Sequence, residues 1–89
     1  MVVFVLEHAS EKMRGVFSRW MIEPKPGVFV GSINALVREK LWDMLPEFHP
    51  KGALMIYSCN TEQGFQVRMT GELSRSVIDL DGIQLIKIQ

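Results

Sequence analysis

Two amphipathic helical stripes, each hemmed in by short apolar runs, constrain this chain most. Met13, Val16, Phe17, Trp20 and Met21 recur at the i, i+3, i+4, i+7, i+8 spacing of one helix face. Pro24 and Pro26 stop that stripe, and Gly27 completes a turn. A second stripe runs Ile33, Val37, Leu41, Met44 and Leu45, ending before or near Pro46. Ser10 is placed to cap the first helix, and Ser32 or Asn34 the second. Each stripe must bury its apolar side against another layer, and the remaining runs read as strands. Val2–Glu7 is short, apolar and β-branched. Val28–Gly31, Ala53–Cys59, Phe65–Thr70 and Ile83–Ile88 follow, with Asn60–Gly64 as a hairpin-like turn and Gly71–Ser76 as polar loop.

The predicted order is β-α-β-α-β-β-β, an α+β sandwich with two helices on one face of a mainly antiparallel sheet. Ferredoxin-like packing is the expected architecture, although that order needs two strands between the helices and only one is evident. Eighty-nine residues make a single domain, 1–89. A chain this short hides only about 60–65% of its unfolded surface, which favours self-association. The last strand breaks phase: Ile83 and Leu85 fall on one face, Ile86 and Ile88 on the other. Either both faces are buried or a bulge intervenes, and an apolar edge of this kind invites a second copy.

A hydrophobic content of 47% and zero net charge exclude a disordered chain. One Cys excludes an internal disulfide framework and suits a reducing compartment. No apolar run reaches the ~18–20 residues of a membrane span. Glu7 and His8 interrupt the N-terminal run, so a cytoplasmic protein without a signal peptide is expected. Any nucleic-acid binding must come from a local patch rather than global charge.

Walker, GxGxxG, HExxH, CxxC and GxSxG motifs are lacking. Cys59 falls on an apolar run and reads as core. His8 and His49 stand far apart in the sequence and make a poor zinc pair. Trp42, off the main stripe of its helix, could anchor a partner, but flanking core is the plainer reading. Glu7 ends the first strand, where ligands of layered folds gather, and a carboxylate there suits Mg2+. Two such carboxylates meeting across a dimer axis would make a phosphodiester-cutting site. The plainer reading is a surface charge closing a strand. Lys12, Arg14, Arg19 and Lys25 give the first helix and its exit a basic character against Glu11 and Glu23. Lys12 and Arg14 lie near the helix N-terminus, whose free N–H groups also attract phosphate. In the last third, Glu62, Glu72, Asp79 and Asp81 outnumber Arg68, Arg75 and Lys87. A basic end for DNA and an acidic end for a basic protein is one reading of this split; solvated faces are the other.

Several segments recur together in one family: Val-Val-Phe-Val-Leu-Glu at 2–7, Met-Arg-Gly at 13–15, Trp20, Glu23, Gly-Val-Phe-Val-Gly at 27–31, Asn-Thr-Glu-Gln-Gly-Phe at 60–65 and Asp-Leu-Asp-Gly at 79–82. On these the chain resembles CRISPR-associated protein two of subtype I-E, the small subunit of the spacer-acquisition complex. The resemblance spans essentially the whole chain. It implies a ferredoxin-like homodimer whose C-terminal strand helps join partner chains. It implies an architectural role, with the dimer between two dimers of the CRISPR integrase subunit as a ruler for protospacer duplex DNA. Backbone contacts to that DNA map onto Lys12, Arg14 and Arg75, with Ser74 where close relatives carry a basic residue. Acidic contacts to the integrase map onto Glu62 and Asp81. Members are also described as metal-dependent endonucleases on RNA or DNA, which maps the metal ligand and catalytic residue onto Glu7. Many members carry Asp there; the I-E branch carries Glu. Mg2+ belongs to that nuclease alternative and is not required for the architectural role. An unrelated ferredoxin-like regulator of a small ligand is the third class, which the motif series disfavours.

Overall fold

The computed structural model describes residues 1–48 and 50–71 in full, and 75–80 and 83–88 by backbone pairing. Nine elements follow in order: β1 (Val2–Glu7), α1 (Glu11–Ser18), β2 (Ile22–Lys25), β3 (Val28–Gly31), α2 (Ala35–Phe48), β4 (Gly52–Ser58), β5 (Phe65–Gly71), β6 (Arg75–Leu80) and β7 (Ile83–Ile88). The first five strands form one sheet in the order β2-β3-β1-β4-β5. Every neighbouring pair is antiparallel. The first six elements therefore run β-α-β-β-α-β with β3 inserted between β1 and β2, the split arrangement of ferredoxin-like folds. Strands β6 and β7 pair with each other as a two-stranded sheet.

Two strands are missing from the sequence reading, β2 and β6. Pro24 and Pro26 predict only a stop, yet Pro24 lies inside β2. An edge strand tolerates a residue that cannot donate to the ladder. Strand β2 is such an edge, and its register shifts between Ile22 and Lys25, around the proline. Strand β6 is the second correction: Arg75 and Ser76, assigned to loop, open it. The β6–β7 register is unbroken from Arg75↔Ile88 to Leu80↔Ile83, so the phase break at the C-terminus is not a bulge. Leu80 opposes Ile83, Ile78 opposes Leu85 and Val77 opposes Ile86, which puts apolar positions on both faces of the hairpin.

Helix α1 is shorter than its stripe. Ser10 caps it as expected, its Oγ accepting from the Met13 N–H at 3.2 Å. After Ser18 the chain tightens, with Arg19 N–H to Val16 O and Trp20 N–H to Phe17 O. Met21 still reaches the core, but Trp20 is turned out and 53% exposed. Asn34, of the two candidates, caps α2: its Oδ1 accepts from the Val37 N–H at 2.9 Å. Pro46 does not end that helix, which continues to Phe48. Only two residues follow the proline, so little of the helical ladder depends on its missing N–H.

Alternation along β1 separates the two sides of the sheet. Val2, Phe4 and Leu6 are buried with Met13 and Phe17 of α1, Leu41 and Leu45 of α2, Phe29 of β3, and Ala53 and Met55 of β4. Both helices thus pack on one face, as expected. Phe17 sits at the centre of this core, 4.9 Å from the Phe4 ring and 5.4 Å from Phe29. The alternate residues define the other face. Register places Val3 and Val5 of β1 beside Val30 and Val28 of β3 and beside Ile56 and Leu54 of β4; Ile56 and Leu54 in turn oppose Val67 and Met69 of β5. All eight are apolar, and neither helix covers them. Leu54 and Val67 are buried, and the other six are half-buried.

Cys59 follows β4 rather than ending it, and is half-buried with Sγ 3.4 Å from Thr61 Oγ1, not a core residue. Trp42 packs against the core as expected.

Candidate nucleic-acid interface

The β1–α1 junction brings Glu7, Lys12 and Arg14, all singled out in the sequence, to one end of the sheet. Glu7 is the last residue of β1, opposite Gly52 of β4, and its carbonyl accepts from the Lys51 N–H at 3.1 Å. Its side chain, half-buried, falls in phase with Val3 and Val5, on the face that no helix covers. His8 then takes a φ of 57°, the one non-glycine residue in the left-handed region among those described. This turn redirects the chain into the Ser10 cap. Lys12 follows in the first turn of α1 and is exposed.

Arg14 differs from Lys12. Its Nε donates to Glu23 Oε2 at 3.0 Å and its Nη2 to Glu23 Oε1 at 3.2 Å, a two-point grip. Glu23 Oε2 also accepts from the Gly27 N–H at 2.9 Å. The Gly27 donor and the Arg14 guanidinium hold the Glu23 carboxyl below its ordinary pKa. Gly27 in turn offers its carbonyl to the Leu6 N–H at 2.8 Å. One carboxylate on β2 therefore ties together the start of α1, the β2–β3 turn and the end of β1. A shallow depression of about 210 Å³ opens here, lined by Leu6, His8, Ala9, Arg14, Pro26 and Gly27. Arg14 remains 42% exposed, so its guanidinium keeps one edge toward solvent while bound to Glu23.

The sequence presents Lys12 and Arg14 as equals and gives no sign of this role for Glu23. Nothing in the spacing of Arg14 and Glu23 signals the contact, which crosses from helix to edge strand. Glu62 lies at the opposite end. It is exposed in the β4–β5 turn, beyond the Tyr57 end of β4 that pairs with Val2. The β1 strand separates the two ends by about 17 Å. The side chains of Arg75, Ser74, Asp81 and His49 lie outside the described residues.

A second charged network is equally invisible in the sequence. Glu39 of α2 accepts from Arg68 of β5 at 2.7 Å and from Arg38 at 2.9 Å. Arg38 stacks over the Tyr57 ring at 3.9 Å. The Arg68 hydrogen bond, then Arg38, lowers the Glu39 pKa. These residues fasten α2 to the β4–β5 side of the sheet, and their cations are already engaged.

Among the described residues, no three His, Cys, Asp or Glu side chains gather at one point. Glu7 of a single chain supplies one carboxylate, and it is the residue that would hold Mg2+, with water or a second carboxylate filling the remaining positions.

A family model described as CRISPR-associated protein (Cas_Cas2CT1978) matches residues 1–85. The chain belongs to this family. Its role lies in CRISPR adaptation. The segments at 2–7, 13–15 and 27–31 that carry the resemblance are the ones that build the β1–α1 junction and the turn behind it. No helix of the described residues is long and apolar enough to cross a membrane.

Proposed function

We propose that this chain is a homodimeric, non-catalytic architectural subunit of a subtype I-E spacer-integration complex, bridging integrase dimers and holding the backbone of protospacer duplex DNA. The observation that carries this reading is the sheet itself. One face is closed by two helices, while the other carries eight apolar side chains from four strands, six of them half-buried and so still partly open to a partner. A surface of this kind in a small domain gains most from burial against a second copy. A dimer built there doubles the β1–α1 ends, each carrying an exposed Lys12 and a half-exposed Arg14. Such cations near a helix N-terminus grip phosphates and read no bases. Arg75 joins them in this reading, and Glu62 and Asp81 meet basic surfaces of the integrase. The test is co-purification with the integrase subunit followed by a spacer-integration assay, with the oligomeric state measured by sedimentation. A monomer that supports integration overturns the reading.

The second reading is a Mg2+-dependent endonuclease acting on RNA or DNA. What favours it is that Glu7 shares with Val3 and Val5 the face that neither helix covers, so face-to-face pairing would draw two carboxylates toward one axis. Glu7→Ala separates the two. The architectural reading expects integration within about twofold of wild type in the folded variant. The nuclease reading expects Mg2+-dependent cleavage by the purified dimer, abolished in Glu7→Ala.

A further inference from the structure

Helices α1 and α2 lie side by side on the sheet but do not close against each other along their outer edges. A cleft of about 330 Å³ remains between them. Val16 and Trp20 form one wall, Leu36 and Met44 the other, and Arg19 and Lys40 stand at the rim. Trp20 is 53% exposed and Leu36 64%, a large cost to leave in water unless something covers them. The early end of α1 creates the site: with the helix stopped at Ser18, Trp20 swings out instead of continuing the buried stripe.

The charge of the cleft is one-sided. Among the described residues, Arg19 and Lys40 are the only charged ones that line it, and both are exposed. Arg14, Arg38 and Arg68 all hold carboxylates, whereas no ion pair among the described residues uses Arg19 or Lys40. We propose that this cleft docks an acidic amphipathic segment of a partner protein, with apolar anchors between the helices and carboxylates against Arg19 and Lys40. The apolar walls argue against nucleic acid, because phosphates would leave Trp20 and Leu36 wet. The volume is at the low end of ligand pockets, about 300–1,000 Å³, and suits a few side chains one helical turn apart. Trp is also the residue type that most often anchors such contacts. The cleft opens on the helical side, away from the apolar sheet face. It therefore remains accessible whether or not the chain pairs through that face, and does not depend on the proposed function.

The experiment follows the Trp20 indole N–H by NMR in the full chain, with Trp42→Phe to assign the two tryptophan signals. The probe is a helical peptide about three turns long with Leu or Phe at i, i+4 and i+7 and Glu elsewhere. Its twin carries Lys in place of Glu. The expected result is a Trp20 shift on adding the acidic peptide, with affinity about tenfold above the Lys twin. Leu36→Ser should weaken it, and so should Arg19→Glu with Lys40→Glu; all three are exposed positions where folding is not at stake. Equal binding of the twin, or no Trp20 shift with the acidic peptide, overturns the proposal. So does displacement of the peptide from Trp20 by short duplex DNA, which would make the cleft a nucleic-acid surface. A Trp20 shift that depends on protein concentration alone would assign the cleft to a second copy and overturn it equally.

Discussion

Glu23 carries more of the β1–α1 end than any other side chain, because one carboxylate answers Arg14 twice and Gly27 once. Its depressed pKa fixes the sign of a pH effect. A carboxylate that is more acidic in the folded chain adds stability above its unfolded pKa, about 4.3, and loses it as pH falls through the folded value. Glu23→Gln should therefore melt below wild type near neutral pH. The gap should close as pH falls through the folded value and the wild-type carboxyl becomes neutral as well. Melts across that range check it; a gap independent of pH would mean the charge is not what matters. The same ion pair splits the two cations. Lys12 is exposed and has no ion pair among the described residues, while Arg14 commits part of its charge to Glu23. Lys12→Ala should lower DNA affinity alike for all sequences and reduce the salt slope by about 0.9 for each phosphate it no longer neutralises. Arg14→Ala should lower the slope less and the melting temperature more. Titrations of labelled duplex at several salt concentrations, with the integrase subunit present, test both.

At the scale of elements, two glycines predict opposite outcomes. Gly27 holds a φ of 81° in the β2–β3 turn, and a Cβ there would stand 2.6 Å from the Leu6 carbonyl oxygen that lies across the turn. Gly27→Ala should cost about 2 kcal/mol or more, from strain and the collision together. Gly15 sits inside α1 with nothing within 4 Å of the position its Cβ would take. Gly15→Ala should stabilise by about 0.5–1 kcal/mol. Urea unfolding of the pair reads both signs. Phe17→Ala, at the ring cluster with Phe4 and Phe29, should cost about 3–5 kcal/mol. These elements also show what a sequence exposes. The stripe through Met13, Phe17 and Met21 is legible because buried helix faces repeat every 3.6 residues, and Val28–Gly31 because apolar strands do not hide. Strand β2 is illegible because its residues are edge residues: Ile-Glu-Pro-Lys has no alternation, and Pro24, with Pro26 just beyond the strand, speaks for a turn. The second strand between the helices, and with it the ferredoxin order, is hidden by that one signal. The site is hidden for a different reason. Lys12, Arg14 and Glu7 are visible as charges beside a strand end, but the Arg14–Glu23 grip depends on β2 lying near α1, which only tertiary structure supplies.

For the whole molecule, the decisive feature is the side of the sheet that neither helix covers. Val3, Val5, Val28, Val30, Leu54, Ile56, Val67 and Met69 would be ordinary core in a larger domain with a further layer of helices. Here both helices are committed to the other face. A second copy is the simplest covering, because two identical apolar faces meet with matching chemistry on both sides and close as a symmetric pair. Ile56 lies near the middle of this face, opposite Val3 on one side and Val67 on the other. Ile56→Lys puts a charge there, and a twofold axis repeats it on the partner. Its long stem lets the ammonium reach water in a monomer, so the chain should still fold. In a dimer the charge has no such exit, and association should weaken by about a hundredfold or more. Sedimentation at micromolar concentration should show wild type as a dimer and Ile56→Lys as a monomer with unchanged far-ultraviolet circular dichroism. An exposed position on the helical side, Leu36→Lys, serves as the control and should leave the dimer intact. If Ile56→Lys remains dimeric while folded, association runs through another surface, and the sheet face loses its place in the architectural reading.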